Sequence, residues 1–240
     1  MTVRASRVKR DAGAGWEPWG PETDPIHIPA EAWTHTGFRA WVISDEYPEK
    51  LKASFVDGEI IIEMSPKELE THNKVKTEIV GTLNVLNRRL DLGELFSDGT
   101  LLSNLEAGLS TEPDGTFVSW TSFEAGRVRL VPRRKRPGQY IELEGTPDWV
   151  LEVVSQATVA KDTESLRGLY HRAGIPEYWI VDARFDEISF QILRHRRDRY
   201  VPVAARDGWY RSPVFAHAFR LERRKNRMGR WAYTLAIKPV

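Results

Sequence analysis

The chain contains no cysteine, so disulfides, thiolate zinc sites and a cysteine nucleophile are all excluded. It has no apolar run long enough to cross a bilayer, and no apolar signal-peptide core follows Met1. A cytoplasmic setting without membrane contact is therefore expected. Charge of one sign is not in excess either: 35 Lys and Arg stand against 34 Asp and Glu, a formal net charge of +1. That balance says little about partners, because it averages over uneven segments. Internal repeats and low-complexity blocks are also missing. What is present is 41% hydrophobic residues and nine tryptophans, enough for a sizeable core in 240 residues.

The most informative stretch runs from Gly145 to Ala183 and reads as strand, loop, helix, turn, strand. Residues Asp148 to Val154 are rich in Val and aromatic side chains, which suit a buried pleated surface. A helix is expected from Thr163 to Ala173, with Leu166, Leu169 and Tyr170 on one apolar stripe. Gly174 is placed to end it and Pro176 to forbid its continuation. The run EYWIVDA supplies a second strand. A β–α–β unit of this length implies parallel strands, with both faces of the first strand covered. Within that strand stands Glu152, a costly residue to bury unless it is paired, hydrogen-bonded or bound to a metal.

Taken in order, residues 1–30 mix Gly, Pro, Arg and Trp without periodicity and read as a loose arm, and residues 31–240 as one domain. Asp57-Gly58, inside FVDGEIIIEM, signals a β-hairpin between Ala53 and Met64. Ser65-Pro66 opens a helix to about Leu90, with Val75, Ile79, Leu83, Leu86 and Leu90 as its apolar stripe. His72 lies on that same face; a histidine there is more often a core-edge residue than one that positions a substrate or metal. Strands are expected over Leu95–Asn104 and Gly115–Ser119, and Pro113-Asp114-Gly115 between them is first of all ordinary turn chemistry. Arg127 to Gly138 reads as a basic loop, of the kind that would suit a phosphate backbone. Beyond Asp182, short strands extend or cap the sheet, with basic clusters in RHRRDR and RLERRKNRMGR.

A glutamate on a buried strand, with an aspartate beginning a neighbouring strand, can converge two carboxylates on a divalent cation; oxygen donors of this kind suit Mg²⁺ or Mn²⁺. Asp148 is a rival partner on the same face as Glu152. It lies four residues away along one strand, about 13 Å in extended geometry, which is too far for one ion. Asp114 is the better partner.

These residues resemble a family. Pro113-Asp114, the strand ending Glu152-Val153-Val154-Ser155, then Tyr170, Gly174 and EYWIVD look like the Uma-type restriction endonucleases of the PD-(D/E)XK superfamily. The likeness also takes in DGEIIIEMSP and His72. It implies an α/β, restriction-endonuclease-like core with a mixed sheet flanked by helices, and metal-dependent (Mg²⁺ or Mn²⁺) DNA cleavage with Asp114 and Glu152 as ligands. His72 and Tyr170 would stand behind those ligands, and a homodimer would let two sites address two strands. The chain departs from the pattern at the lysine. Val154 stands where the superfamily places it, and Leu166 where Uma-type proteins commonly carry it. Lys161 is the expected substitute and Arg167 its competitor. The alternative is a catalytically inactive nucleic-acid-binding module on the same fold. A third possibility is a structural role in which Glu152 merely pairs with Lys161 or an arginine.

Overall fold

The computed structural model describes residues 26–48, 51–63, 66–133 and 136–240. The expected arm over residues 1–30 therefore falls largely outside the described residues, as do Met64 and Ser65. A short 3₁₀ turn (Ala30–Trp33) precedes helix α1 (His35–Val42), hairpin β1 (Lys52–Val56) and β2 (Glu59–Glu63), and helix α2 (Lys74–Leu90). There follow β3 (Gly93–Ser97), β4 (Leu101–Asn104), β5 (Leu109–Thr111), β6 (Gly115–Ser119), α3 (Trp120–Glu124), β7 (Val128–Arg133), β8 (Arg136–Gly145) and β9 (Trp149–Val153). The chain continues through α4 (Leu166–Arg172), β10 (Glu177–Asp182), β11 (Ser189–His195), β12 (Tyr200–Pro202), β13 (Tyr210–Ser212), β14 (His217–Lys225) and β15 (Trp231–Pro239).

The strands form three sheets, ordered β2-β1-β5-β4-β8-β7, β12-β11-β10-β9-β6-β3 and β13-β14-β15. Both six-stranded sheets are mixed, through the parallel pairs β4/β8 in the first and β9/β10 in the second. The second is the middle layer. On one side α2 and the three-stranded sheet cover Phe117, Trp149, Leu151, Val153, Trp179 and Val181. On the other, α4 and the first sheet cover Val118, Val150 and Tyr178. Helix α1 closes the far face of the first sheet through Phe38 and Trp41 against Phe55 and Leu101. All five residues of β9 are buried, as a strand flanked on both faces requires. No helix among the described residues is long and apolar enough to cross a membrane.

The β9–α4–β10 unit and the Asp57-Gly58 hairpin match expectation; both turn residues have positive φ, 50° and 83°, as a tight hairpin turn demands. Other expectations need correction. The apolar stripe of α2 ends at Leu86, because Leu90 is the last helical residue before left-handed Asp91 and is 42% exposed. That helix also opens later than Pro66. Glu68 is extended and caps a π-helical turn (Leu69–Asn73) by accepting the amides of Glu70 and Thr71. The expected single strand Leu95–Asn104 is two strands in different sheets, broken at Gly99, whose φ is 81°. The short β5 was not expected. Arg127–Gly138 is no loop: its described residues belong largely to the β7/β8 hairpin, and Arg134 and Lys135 lie outside the described residues. Past Asp182, β11 and β12 extend the middle sheet, while β13–β15 cap it as a separate one.

Candidate active site

Glu152 alternates with Leu151 and Val153, which face α2, and so points to the side where α4 packs. There the Tyr170 hydroxyl, from α4, donates to Glu152 Oε1 at 2.5 Å. Strand β6 pairs antiparallel with β9, Gly115 opposite Leu151, which sets Asp114 beside the C-terminal end of β9. Asp114 Oδ2 accepts the Val153 amide at 2.8 Å and lies 3.3 Å from His72 Nε2; Oδ1 lies 3.6 Å from Lys76 Nζ. Gly115 has a packing reason beyond turn chemistry. A Cβ there would sit 3.0 Å from the Trp149 ring.

Asp114 and Glu152 line one small cavity of about 10 Å³ together with Lys52, Glu63, Lys67, His72, Glu112, Thr158, Lys161 and Asp162. Lys161 is buried rather than solvated and pairs with Glu63 Oε1, while Lys67 holds Glu63 Oε2 at 2.6 Å. Both helices reach the cavity through a π-helical turn: Leu69–Asn73 carries His72, and Lys161–Ser165 carries Lys161 and Asp162. Such turns re-aim side chains that an unbroken α-helix would place elsewhere. A groove of about 640 Å³ shares Glu63, Lys67, Thr158 and Lys161 with the cavity and continues past Ser155 and Gln156.

The electrostatics are those of crowded acids. Burial, then the charges of Asp162 and Asp114, push the Glu152 carboxyl well above the ordinary range, against the pull of Lys161 and Tyr170. Burial raises Asp162 to about 6 against the pull of Lys161 and Thr158. Asp114 moves the other way: burial would raise it, but His72, the Val153 amide and Lys76 together lower it. Burial also opposes ionisation of Glu63, yet Lys161 and Lys67 bring it down to about 2. Lys161 itself is raised, because Glu152, Glu63 and Asp162 outweigh its burial.

The sequence-predicted residues Asp114, Glu152, Lys161, His72 and Tyr170 thus gather at one place. Arg167 does not; it reaches the Tyr200 carbonyl at 3.4 Å. Asp148 is committed elsewhere, accepting from the Ser119 amide, Ser122 Oγ and Arg127. Glu152 is not merely a partner for Lys161, whose ammonium is taken by Glu63. Sequence reasoning missed Glu63, Lys67 and Asp162. The signals available were an acid ending the apolar run EIIIE and an acid directly after Lys161.

Among the described residues no three Asp, Glu or His side chains stand close enough to form a closed metal cage. Mg²⁺ does not need one, since it binds through one or two carboxylates and keeps several waters. The buried pair Asp114 and Glu152 fits that donor set, and the waters of such an ion would stand in the adjoining groove, since the cavity itself is small.

A family model described as "Uma2: Putative restriction endonuclease" matches residues 39–223. Among solved structures, the chain is similar to one titled a "putative nuclease belonging to DUF820" from Anabaena variabilis. The TM-score is 0.51 and the identity 19%, covering 76% of this chain and 90% of that one. No curated protein matches the sequence.

Proposed function

Because the chain belongs to the Uma2 restriction endonuclease family, we propose that it is a metal-dependent DNA endonuclease hydrolysing phosphodiester bonds at the Asp114–Glu152 cavity. The observation that carries the reading is the burial of these two acids with Lys161 in one cavity that meets a groove. Glu152, whose carboxyl is pushed up by burial and by the charges of Asp162 and Asp114, would gain a counter-charge from a cation bound there. Bound there, Mg²⁺ or Mn²⁺ would neutralise phosphate charge and acidify a water.

The chain's own residues do the rest. His72 and the Val153 amide fix the orientation of Asp114, and Tyr170 that of Glu152. Lys161, held by Glu63, presents an ammonium that stabilises charge growing on the phosphoryl oxygens. Lys67 and the wall of the groove receive the flanking nucleic acid. Residues 31–240 serve as one catalytic domain, and a homodimer would bring two such sites to two strands.

The alternative, an inactive module that only binds nucleic acid, draws support from Val154 and Leu166. Both lie in the apolar core at 1% and 0% exposure, where the family's lysine would stand. Incubating supercoiled plasmid and single-stranded circles with Mg²⁺, Mn²⁺ or chelator separates the two readings. Cleavage that needs metal and disappears in Glu152→Gln supports the nuclease. Salt-sensitive binding without cleavage supports the module.

A further inference from the structure

We propose that Asp162 holds the water that attacks the phosphodiester and accepts its proton. The inference rests on the nuclease reading above and adds a residue that reading does not use. Hydrolysis requires an acceptor within hydrogen-bond reach of the attacking water. Several neighbouring groups are engaged. The Lys161 ammonium is bound to Glu63 and has only protons to give. Glu152 Oε1 receives the Tyr170 hydroxyl, and Asp114 Oδ2 receives the Val153 amide.

Asp162 differs from them. It is 2% exposed and lines the cavity, and its Oδ1 is buried with no hydrogen-bond partner among the described residues. A buried carboxylate oxygen without a donor is costly, and such atoms mark function or a missing water. The cavity volume, about 10 Å³, is close to that of a single water sphere, and its walls are polar.

The carboxylate is also held in place. Thr158 Oγ1 donates to Oδ2, the Asp162 amide donates to the Thr158 carbonyl at 2.8 Å, and the Tyr178 hydroxyl donates to the Asp162 carbonyl at 2.8 Å. One oxygen is anchored and the other left for a guest. In the step, the water oxygen forms the new P–O bond while its proton passes to Oδ1. The P–O bond to the departing nucleoside breaks, and the leaving alkoxide takes a proton from solvent.

Two measurements test this. A crystal structure of the metal-free wild type should show a water within about 2.6–3.2 Å of Asp162 Oδ1; an empty or side-chain-filled position overturns the proposal whatever the activity. Asp162→Asn should slow plasmid cleavage by ~10²-fold or more while keeping the Mn²⁺-induced rise in melting temperature that Glu152→Gln loses. Loss of that rise in Asp162→Asn would make Asp162 a ligand and not the acceptor. Unchanged cleavage by Asp162→Asn, with an active wild type, defeats the proton transfer alone. A wild type that cuts nothing, with the water in place, defeats the nuclease reading and the transfer with it. Should the Asn variant not fold, Thr158→Val leaves the carboxylate present but unanchored. It should cut ~10-fold more slowly, and full activity in it counts against the proposal.

Discussion

The two faces of β9 share a backbone and differ sharply in chemistry. One presents Trp149, Leu151 and Val153 to α2 and the C-terminal sheet, where Trp149 meets Trp179 edge-on at 5.5 Å and Phe215 at 5.7 Å. The other presents Val150 and Glu152 toward α4, and beside Glu152 the packing gives way to a cavity ringed by acids and lysines. The first face gains stability from burial of large apolar area. The second spends some of it, because Glu152 and Asp162 are held where ionisation is disfavoured. The difference teaches that the strand is kept rigid by one side so that the other can hold charge in a fixed place.

Breaking the apolar face should give the largest effect. Trp149→Ala empties a fully buried site and should cost about 3–5 kcal/mol of unfolding free energy; denaturant titration measures it. The same substitution removes the ring against which Gly115 packs, so Asp114 should lose its position and cleavage should fall in whatever fraction remains folded.

Lys161→Ala acts on the other face. It should slow cleavage by ~10²-fold, by analogy with removal of one preorganised donor, with the loss in kcat more than in KM. Arg167→Ala, whose guanidinium donates to the Tyr200 carbonyl and does not line the cavity, should leave kcat unchanged. If the two variants exchange behaviour, the cation has been assigned to the wrong residue.

A third prediction sharpens the comparison with a buried acid outside the cavity. Glu177 accepts from Trp179 Nε1 and Ser212 Oγ, tying β10 to the C-terminal sheet. Burial raises it to about 7 against the pull of Ser212, Trp179, the Val214 amide and Arg194. A carboxyl whose folded pKa lies above its unfolded value contributes stability below the unfolded pKa and loses it as pH rises through the folded one. Melting temperature should therefore decline between about pH 4.5 and 7. Glu177→Gln should flatten that decline by a few degrees without altering cleavage. A decline of equal slope in the variant would assign the effect to other groups.

Much of this architecture is legible in the residues, for local reasons. The β9–α4–β10 unit announces itself because strand length, helix stripe and the Gly174–Pro176 stop all agree. Asp57-Gly58 does the same for its hairpin. The division of the strands between sheets is not legible, because Gly99 alone does not say whether a strand bends or ends, and pairing partners such as β4 and β8 are distant in sequence. The basic run after Arg127 looked like a loop because charge masks the alternation of an edge hairpin. At the site, Asp114 and Glu152 stood out as an acid in a turn and an acid in an apolar run. Glu63 and Asp162 did not, since their burial depends on the hairpin and the π-helical turn folding over the end of β9.

The most direct test of the central claim is calorimetric titration of Mn²⁺ into metal-free wild type and Glu152→Gln. Glutamine keeps the size of the side chain and its bond to Tyr170 but removes the charge assigned to the cation. The account predicts saturable binding by the wild type, its loss in the variant, and an unchanged or higher melting temperature for the metal-free variant. Equal Mn²⁺ binding by both proteins would contradict it.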